Sequence, residues 1–344
     1  MEINFSIKNI SYPIPLIDSD KVRHKPTKVT ICEKPYVAWS TRSSTSGKVK
    51  YFIASAVCPH RGADLSFGKV CGEKLECPYH GWTVDGQGQT TSPFEKKLKG
   101  HTDVFELQDR FGFLWLNGNE DYFNNLQKPN FEFLGPIIYK FNGPLHTTLD
   151  LFADGTHLPF VHDRNGPNRE QVDETKFEWS ESDGGFNVSF DYAQRPFTLI
   201  NVLQFFIKTR WHVDARIDFL PLRVQYHIYW YRPKNKKIMN GKNGNTFYFY
   251  PSEKNVTMAP CLVYQEIPAF LKPLKFLLRP LILNMTNHLL QEDVDMISKI
   301  LESRVDFIGQ KLETYDAPIV KIRKRLLADH GFDSKTLGYN DKAL

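Results

Sequence analysis

The first third of the chain consists of short apolar runs separated by polar turns. These runs are rich in β-branched and aromatic residues, and a polar loop with Gly47 near its end lies between the second and the third. They cover residues 28–32, 35–40, 49–56, 104–107 and 111–116. Runs of this length, bounded by Gly, Ser and Asn, predict β-strands. The pattern therefore predicts a small all-β domain over residues 28–118.

Beyond Asn117 the pattern changes, because strand-like runs now alternate with helix-like periodicity. The predicted strands are 177–179, 185–192, 224–231, 246–250 and 256–263, and turn sequences such as D-G-G and N-G-K-N-G-N separate them. Apolar spacing close to 3.6 residues predicts helices at 149–162 and 281–308. We therefore predict an α+β protein with domains at 1–118 and 119–344.

Composition is typical of a protein with a substantial core. Of the 344 residues, 41% are hydrophobic and 14% are aromatic, which suffices for a buried core and an apolar cavity. The net charge of +5 is mildly basic. It does not indicate nucleic-acid binding, although a basic patch could dock an acidic electron-transfer partner.

Cysteine usage and hydropathy predict a cytoplasmic protein. Five cysteines are present, and we expect Cys32, Cys71 and Cys261 to be free core thiols. An odd count without a secretory signal favours a reducing compartment. The most apolar stretch, 269–285, is interrupted by three basic residues and two prolines, so we expect no transmembrane segment.

Candidate chemistry is concentrated first at residues 57–82. Cys58 and His60 form a C-x-H pair, Cys77 and His80 form a C-x-x-H pair, and sixteen residues separate the two pairs. Two cysteines and two histidines can bind zinc, or they can hold a [2Fe-2S] cluster with mixed ligands. The arrangement resembles a Rieske centre, with both cysteines on one iron and both histidines on the other.

Local geometry favours the cluster over zinc. An i, i+2 spacing in an extended chain places Cys58 and His60 on the same side. Gly62 and Gly81 lie just beyond the two pairs, where the backbone must turn tightly. The C-x-H spacing differs from the C-x(2–4)-C of common zinc sites, yet zinc stays the main alternative.

A second group of candidate ligands lies in L-D-L-F-A-D-G-T-H-L-P-F-V-H, residues 149–162. Asp154 and His157 are spaced i, i+3 and would share a helix face. His157 and His162 would diverge on an unbroken helix, but we expect Pro159 to break it between them. Such a break can bring both imidazoles to one point. The alternative is that these are core histidines without a metal.

Two histidines and a remote carboxylate make the facial triad of non-haem iron(II) oxygenases. Residues 291–295, Q-E-D-V-D, supply acids on the second predicted helix. We select Asp293 as the third ligand, while Glu292 and Asp295 stay open as alternatives. A solvent-exposed helix face would also explain any one of these acids.

Five segments resemble the oxygenase (α) subunits of Rieske non-haem iron oxygenases over nearly the whole chain. They are C-P-H-R-G-A-D-L-S-F-G from Cys58, C-P-Y-H-G-W from Cys77, F-G-F-L-W-L from Phe111, D-G-T-H-L-P-F-V-H from Asp154, and E-D from Glu292. The resemblance implies an N-terminal all-β Rieske domain and a C-terminal helix-grip catalytic domain, an antiparallel sheet with helices.

The resemblance also implies roles for individual residues. The [2Fe-2S] cluster would be held by Cys58, His60, Cys77 and His80, and a mononuclear Fe(II) by His157, His162 and Asp293. Asp154 would link the cluster of one subunit to the iron site of the next, which implies a homotrimer. Electrons would come from NAD(P)H through a separate ferredoxin or flavin reductase.

The implied activity is oxygenation with O2. The modest length resembles the branch that works without a small β-subunit, so hydroxylation or oxidative demethylation of an apolar or aromatic molecule is favoured over cis-dihydroxylation. We expect pocket walls from 197–211, 247–250 and 270–290, the last of these also forming an entrance cap. A pure iron–sulfur electron carrier is the alternative of another class, and the second ligand set argues against it.

Overall fold

The computed structural model describes residues 7–162, 167–193, 209–238, 241–301 and 311–330. Within this range the chain divides into two compact units. The first comprises residues up to 126 together with 251–254, and the second comprises 127–250 and the residues from 255 onwards. The domain limits 1–118 and 119–344 stay a prediction; by its contacts the segment 119–126 groups with the first unit.

The first unit is built from antiparallel strands and two short helices. Its strands are β1 (Ile14–Asp18), β2 (Thr27–Ile31), β3 (Lys34–Arg42), β4 (Val49–Ser55), β5 (Lys69–Cys71), β6 (Lys74–Glu76), β7 (Thr83–Asp85), β8 (Gln89–Thr91), β9 (Lys99–His101), β10 (Val104–Arg110) and β11 (Phe113–Leu116). The helices are α1 (Ser19–His24) and α2 (Glu120–Leu126). One sheet has the order β1-β11-β10-β4-β3-β2, and strands β5 to β9 form a second sheet in chain order.

A tight hairpin turn and a small buried core stabilise this unit. Cys32 and Glu33 both have positive φ in the two-residue loop between β2 and β3, as a tight hairpin with matching twist requires. The two sheets enclose a core that includes Trp39, Phe52 and Leu75. Cys58 and Cys77 belong to the same buried cluster. The loops that carry the candidate cluster ligands are therefore anchored in the core at their cysteines.

The second unit is organised around a large antiparallel sheet. Its strands are β12 (Phe131–Phe141), β13 (Lys176–Ser182), β14 (Gly185–Ala193), β15 (Arg210–Phe219), β16 (Leu222–Arg232), β17 (Lys237–Ile238), β18 (Asn243–Tyr248), β19 (Tyr250–Pro251) and β20 (Thr257–Glu266). The main path runs β12-β20-β18-β16-β15-β14-β13. The helices are α3 (Leu145–Ala153), α4 (Leu158–Val161), α5 (Lys275–Ile297) and α6 (Ala317–His330).

One face of this sheet forms the core with the helices. In β15 every second residue is buried, from Trp211 to Phe219, which is the period expected of a strand with one face in the core. These side chains pack with apolar residues of α3, α5 and α6. The α+β fold class, with an antiparallel sheet and helices in the second part, is confirmed.

Two long strands of the second unit were not predicted. Strand β12 contains Gly135-Pro136, which argues against a strand, yet it pairs with β20 through a bulge between Phe133 and Gly135. Strand β15 alternates clearly but begins inside a segment interpreted as a pocket wall. Of that segment, residues 197–208 lie outside the described residues.

The prediction for the second helix was wrong at its start and at its end, because α5 stops at Ile297 and residues 298–301 are not helical. Helix α5 begins at Lys275 instead of residue 281 and continues through Pro280. Side-chain bonds to β12 hold this first part: Lys275 donates to Glu132 and Arg279 donates to the carbonyl of Leu134. These contacts and the packing of the helix on β12 offset the backbone bond that Pro280 cannot make. Residues 302–308 of the predicted helix lie outside the described residues.

Two smaller expectations concern cysteines and the membrane. Cys261 is buried, but Cys71 is exposed at the end of β5 and Cys32 is only partly buried, so the prediction of three core thiols was wrong for Cys71. Strand β5 is a short strand at the edge of its sheet, which leaves that thiol in solvent. Among the helices of the described residues, none has the length and apolarity needed to cross a bilayer.

Candidate metal centres

The two loops that carry Cys58 and Cys77 have the same backbone closure. The first loop follows β4 and the second joins β6 to β7. In each loop the cysteine N–H donates to the carbonyl five residues later, at 2.9 Å to Ala63 and at 2.7 Å to Trp82. Two unequal sequence spacings, C-x-H and C-x-x-H, thus fold into equivalent loops.

A glycine completes each of these turns. Gly62 and Gly81 lie four residues after their cysteines and donate to the cysteine carbonyls at 2.9 and 3.2 Å. Their φ angles are +73° and +68°, a left-handed conformation that costs residues with a Cβ free energy. The prediction that both glycines serve tight turns is confirmed.

The side chains of the two loops sort into an inner and an outer pair. Cys58 and Cys77 are both 3% exposed, and their thiols are close enough to affect each other's ionisation. Burial raises the pKa of Cys58, with a further contribution from the neighbouring thiol. The His60 and His80 rings lie outside, with centroids 4.8 Å apart. An inner sulfur pair and an outer imidazole pair fit a two-iron cluster with mixed ligands.

A single zinc ion fits these loops less well. Within the described residues, only one set of three or more candidate donors converges on one point, and it lies elsewhere in the chain. Two separate pairs suit two metal ions better than one tetrahedral ion.

The second ligand set begins where helix α3 ends. α3 stops at Ala153, and Asp154 adopts an extended conformation. The Asp154 carboxylate accepts from the backbone N–H and the hydroxyl of Thr156, at 2.7 and 2.6 Å. Such a local side-chain turn competes with the helix. Gly155 follows, and a Cβ there would lie 2.4 Å from the Phe190 ring.

The predicted break at Pro159 was therefore wrong in position. The chain leaves the helix at Asp154, and Pro159 instead lies in the first turn of the short helix α4, where its missing N–H is not needed. Asp154 and His157 do not share a helix face. They are neighbours across the turn, with His157 Nδ1 3.8 Å from Asp154 Oδ2.

The break brings His157 and His162 to one point with Asp293 of α5. Asp293 Oδ1 lies 3.5 Å from His157 Nε2 and 3.3 Å from His162 Nε2. One donor atom from each residue lies within 4.8 Å of the others. His157 Nε2 and Asp293 Oδ1 are buried and make no hydrogen bond within the described chain. Two imidazoles and one carboxylate in this state fit a divalent metal with open positions.

The charges around His157 favour a bound cation. Burial opposes a charged His157, but the carboxylates of Asp154 and Asp293 outweigh it and raise the pKa of His157 to about 10 in the absence of a metal. Burial likewise opposes a charged Asp154, but His157 and the donors of Thr156 lower its pKa overall. Two carboxylates around a buried imidazole favour positive charge at the centre.

The two alternative acids take other positions. Glu292 accepts a hydrogen bond from His162, with 2.9 Å between Oε2 and Nδ1, so it can orient that ring without being a ligand. Asp295 is exposed and accepts from Gln291 at 3.0 Å. The sequence suggested Glu292 only as a rival ligand. Its second role depends on the rotation of α5 about its axis, which the sequence does not specify.

An apolar cavity adjoins the three ligands. It lies between the inner face of the sheet and helices α3 and α5. Its apolar lining includes Leu158, Trp211, Val213, Ile228, Phe247 and Leu290. Tyr226 also lines it, but its hydroxyl donates to the carbonyl of Phe152. Sequence reasoning missed Tyr226, although its place in an alternating strand could have indicated an inward side chain.

Comparison with known sequences identifies the first unit. Residues 13–102 match the model of the Rieske [2Fe-2S] domain. The methylxanthine N1-demethylase NdmA of Pseudomonas putida is 30% identical over 119 residues, covering 30% of this chain and 33% of that protein. A vanillate O-demethylase oxygenase subunit of Pseudomonas sp. (strain HR199 / DSM 7063) is 26% identical, covering 45% of each chain. The alignments thus span less than half of these relatives.

Comparison with solved structures covers nearly the whole chain. Dicamba monooxygenase bound to 3,6-dichlorosalicylic acid aligns with a TM-score of 0.71 at 17% identity, over 93% of this chain and 96% of that one. NdmB of Pseudomonas putida CBB5 aligns with a TM-score of 0.65 at 18% identity, over 97% and 96%. At these identities the likeness establishes the fold, and both units take part in it.

Proposed function

We propose that this chain, which has the Rieske domain and the fold of the Rieske non-haem iron oxygenases, is a terminal oxygenase that hydroxylates or oxidatively demethylates an apolar or aromatic small molecule. The observation that carries the proposal is the convergence of His157, His162 and Asp293 beside an apolar cavity. The named relatives include an N-demethylase and an O-demethylase, which supports demethylation over ring cis-dihydroxylation.

The proposal assigns two metal sites. His157, His162 and Asp293 would hold a mononuclear Fe(II), and Cys58, His60, Cys77 and His80 would hold the [2Fe-2S] cluster. Bound there, the mononuclear iron would supply dioxygen activation and the cluster would supply electrons one at a time. A facial arrangement of three protein ligands leaves positions open for O2, and the adjoining cavity would receive the substrate.

The protein's own contribution is placement and exclusion of water. The Glu292 carboxylate would hold His162 in one orientation through Nδ1, so that Nε2 faces the metal. The apolar lining would keep the substrate C–H bond close to the metal and water away from it. For a methyl ether, O2, two electrons and two protons would give the alcohol, formaldehyde and water.

We further propose that Asp154 links this centre to the cluster of a neighbouring subunit in a homotrimer. Its Oδ2 faces His157 Nδ1 at 3.8 Å, and the residue is partly exposed, so a second imidazole could approach it. Asp154→Asn should leave both metal sites loaded but slow reoxidation of the reduced cluster by O2 and substrate about 100-fold in stopped-flow absorbance. An unchanged rate would contradict the bridge.

Electrons would come from NAD(P)H through a separate ferredoxin or flavin reductase, consistent with the exposed His60. We also propose a cytoplasmic location, consistent with five cysteines that form no disulfide in the described chain.

Turnover tests the proposal. The iron-loaded protein, supplied with NADH and a surrogate flavin reductase and ferredoxin, should consume O2 and release formaldehyde from methoxylated or N-methylated aromatics. A control lacking the substrate should show little formaldehyde. An electron carrier, the alternative of another class, would be reduced by the same system without forming product. Product formation that survives His157→Ala would contradict the assigned iron site.

A further inference from the structure

One polar residue stands in the middle of the apolar cavity wall. Asn245 occupies the third position of β18, and the residues paired across the sheet at this level are otherwise aliphatic or aromatic. From β14 to β20, the cross-strand partners at this level are Val188, Ala215, Tyr226, Asn245 and Val263. On the same face of β18 the next side chain is Phe247, which also lines the cavity. An amide at this position is an exception that packing does not explain.

The Asn245 amide is buried without a full set of partners. The residue is 3% exposed and lines the cavity that adjoins the metal ligands. Its Oδ1 has no hydrogen-bond partner in the part of the chain that the structure describes. The neighbouring Tyr226 cannot serve it by donation, because its hydroxyl proton goes to the Phe152 carbonyl. An unsatisfied buried amide costs stability, so a group from outside the protein is the expected partner.

The charges around the cavity restrict what that group can be. Among its described lining residues there is no Lys or Arg, whereas Asp154 and Asp293 both contribute to it. Away from the metal ligands, a carboxylate on the substrate would therefore have no described Lys or Arg to pair with, and burying an unpaired charge is costly. The Asn side chain offers one acceptor and two donor positions, which match a carbonyl, an amide or a hydroxyl.

We propose that Asn245 binds the polar group of the substrate and that this substrate is an uncharged, largely apolar molecule with one carbonyl, amide or hydroxyl group. This inference rests on the proposed function for the location of the reacting bond. The Asn245 side chain binds one end of the substrate at the sheet, and the apolar walls of the cavity orient the remainder toward the metal ligands. Asn245 is a specificity-determining residue in this scheme, and it takes no part in the bond changes.

Binding of three matched probes tests the inference. They are 4-methoxybenzamide, 4-methoxytoluene and 4-methoxybenzoate, which share a ring and a methoxy group and differ in one substituent. Isothermal titration calorimetry would use the iron-loaded protein under nitrogen without a reductase, so that no turnover occurs. We expect the amide to bind about tenfold more tightly than the toluene, the value of one net hydrogen bond to a buried group, and the benzoate to bind most weakly.

Substitution of Asn245 then tests whether its side-chain amide causes the preference for 4-methoxybenzamide. Asn245→Leu should reduce binding of 4-methoxybenzamide to the level of 4-methoxytoluene, while binding of the toluene changes less than about threefold. Asn245→Ala makes the same test with less volume, in case the larger side chain does not fit. Thr246→Val is the matched control, because Thr246 is the next residue on β18, is buried and faces the opposite side of the sheet. It should leave the preference among the probes unchanged.

The outcomes separate this inference from the proposed function. A preference for the amide that survives both Asn245 substitutions, or tightest binding of the benzoate, would overturn it. Loss of the preference in both Asn245 variants, but not in Thr246→Val, would support it whether or not turnover is observed. Formaldehyde release from a probe would support the proposed function. If the wild-type protein also bound 4-methoxybenzamide no more tightly than 4-methoxytoluene, this inference would be overturned.

Discussion

The two candidate metal regions are built in opposite ways. Each pair of cluster donors lies within a few residues, in a loop closed by its own backbone bonds. The second centre instead joins a turn after α3 to a helix about 130 residues later, through the contact of His162 with Glu292 and Asp293. His60 is exposed and His80 is partly buried, whereas His162 is fully buried.

This difference matches what each region would have to do. Electrons can arrive through an exposed imidazole edge without a cavity, so short loops on a rigid sheet suffice. Substrate oxidation requires a dry pocket, and only packed elements from distant parts of the chain can enclose one. The donors of the second centre are correspondingly surrounded by apolar residues of the sheet and of α3 and α5.

The largest expected effect comes from a substitution that disrupts the second metal centre alone. Asp293→Ala should abolish mononuclear iron binding and lower formaldehyde release about a thousandfold or more, equivalent to about 4 kcal/mol in activation free energy. The visible spectrum of the cluster should be retained. Asp295→Asn, two residues along α5 and exposed, is the control and should keep nearly full activity. Equal losses in both variants would contradict the assignment.

In a contrasting set of partly buried charges in the second unit, the charged groups pair with one another. Asp191 accepts hydrogen bonds from Arg210, from Tyr231 at 2.5 Å and from His212. His212 also pairs with Asp214 at 3.0 Å. Hydrogen bonds to Asp191 and then Asp214 raise the pKa of His212 to about 9.

The sign of the resulting pH dependence follows from that raised pKa. Stabilisation by charged His212 is complete below its ordinary pKa of about 6.5 and is lost as the pH rises through about 9. We expect roughly 2 kcal/mol of unfolding free energy to disappear between pH 7 and pH 10, less than the full shift implies because the site is partly solvated. Urea denaturation of wild type and His212→Gln would measure it, and an equally steep decline in the variant would rule it out.

A smaller effect sharpens the role of Glu292. Glu292→Gln keeps a hydrogen bond to His162 but removes the charge, so iron affinity should fall about tenfold, the lower end of the range for residues that orient a ligand. Iron retained during dialysis against a chelator would measure this. Cluster content is the internal control. Complete loss of iron would instead indicate that Glu292 is itself a ligand.

The smallest expected effect concerns the cluster loops. Gly62→Ala should cost about 1 kcal/mol, because alanine is strained at its positive φ, although the site has space for a Cβ. Gly47→Ala is the matched control, with φ of +68° and open space around it in the β3–β4 loop. Thermal unfolding should show similar losses for both, while only Gly62→Ala should bleach the cluster faster. Equal bleaching in both would show that the Gly62 loop has no special effect on the cluster.

The same contrast explains how much the sequence could predict. The cluster loops were predictable, because their donors and glycines lie next to one another and their backbone bonds are local. The strands of the first unit followed from short β-branched runs between turn residues. The fold class and the resemblance to Rieske oxygenases were predicted from these patterns and are confirmed.

Long-range packing determined what the sequence could not predict. The turn after α3 occurs at Asp154 rather than at Pro159; Asp154 bonds locally to Thr156 there, and Gly155 lies against Phe190 of the distant strand β14. Strand β12 survives Gly135-Pro136 because its pairing with β20 is long. The choice among Glu292, Asp293 and Asp295 depends on how α5 is rotated against the sheet, and no local pattern contains that information.

Iron and acid-labile sulfide per chain test the central claim most directly. Purified wild-type protein should contain about three irons and two sulfides, from a two-iron cluster and one mononuclear ion. His162→Ala should contain two of each, with the visible spectrum of the cluster intact. A wild-type protein with two irons and two sulfides, unchanged in His162→Ala, would contradict the existence of the second centre.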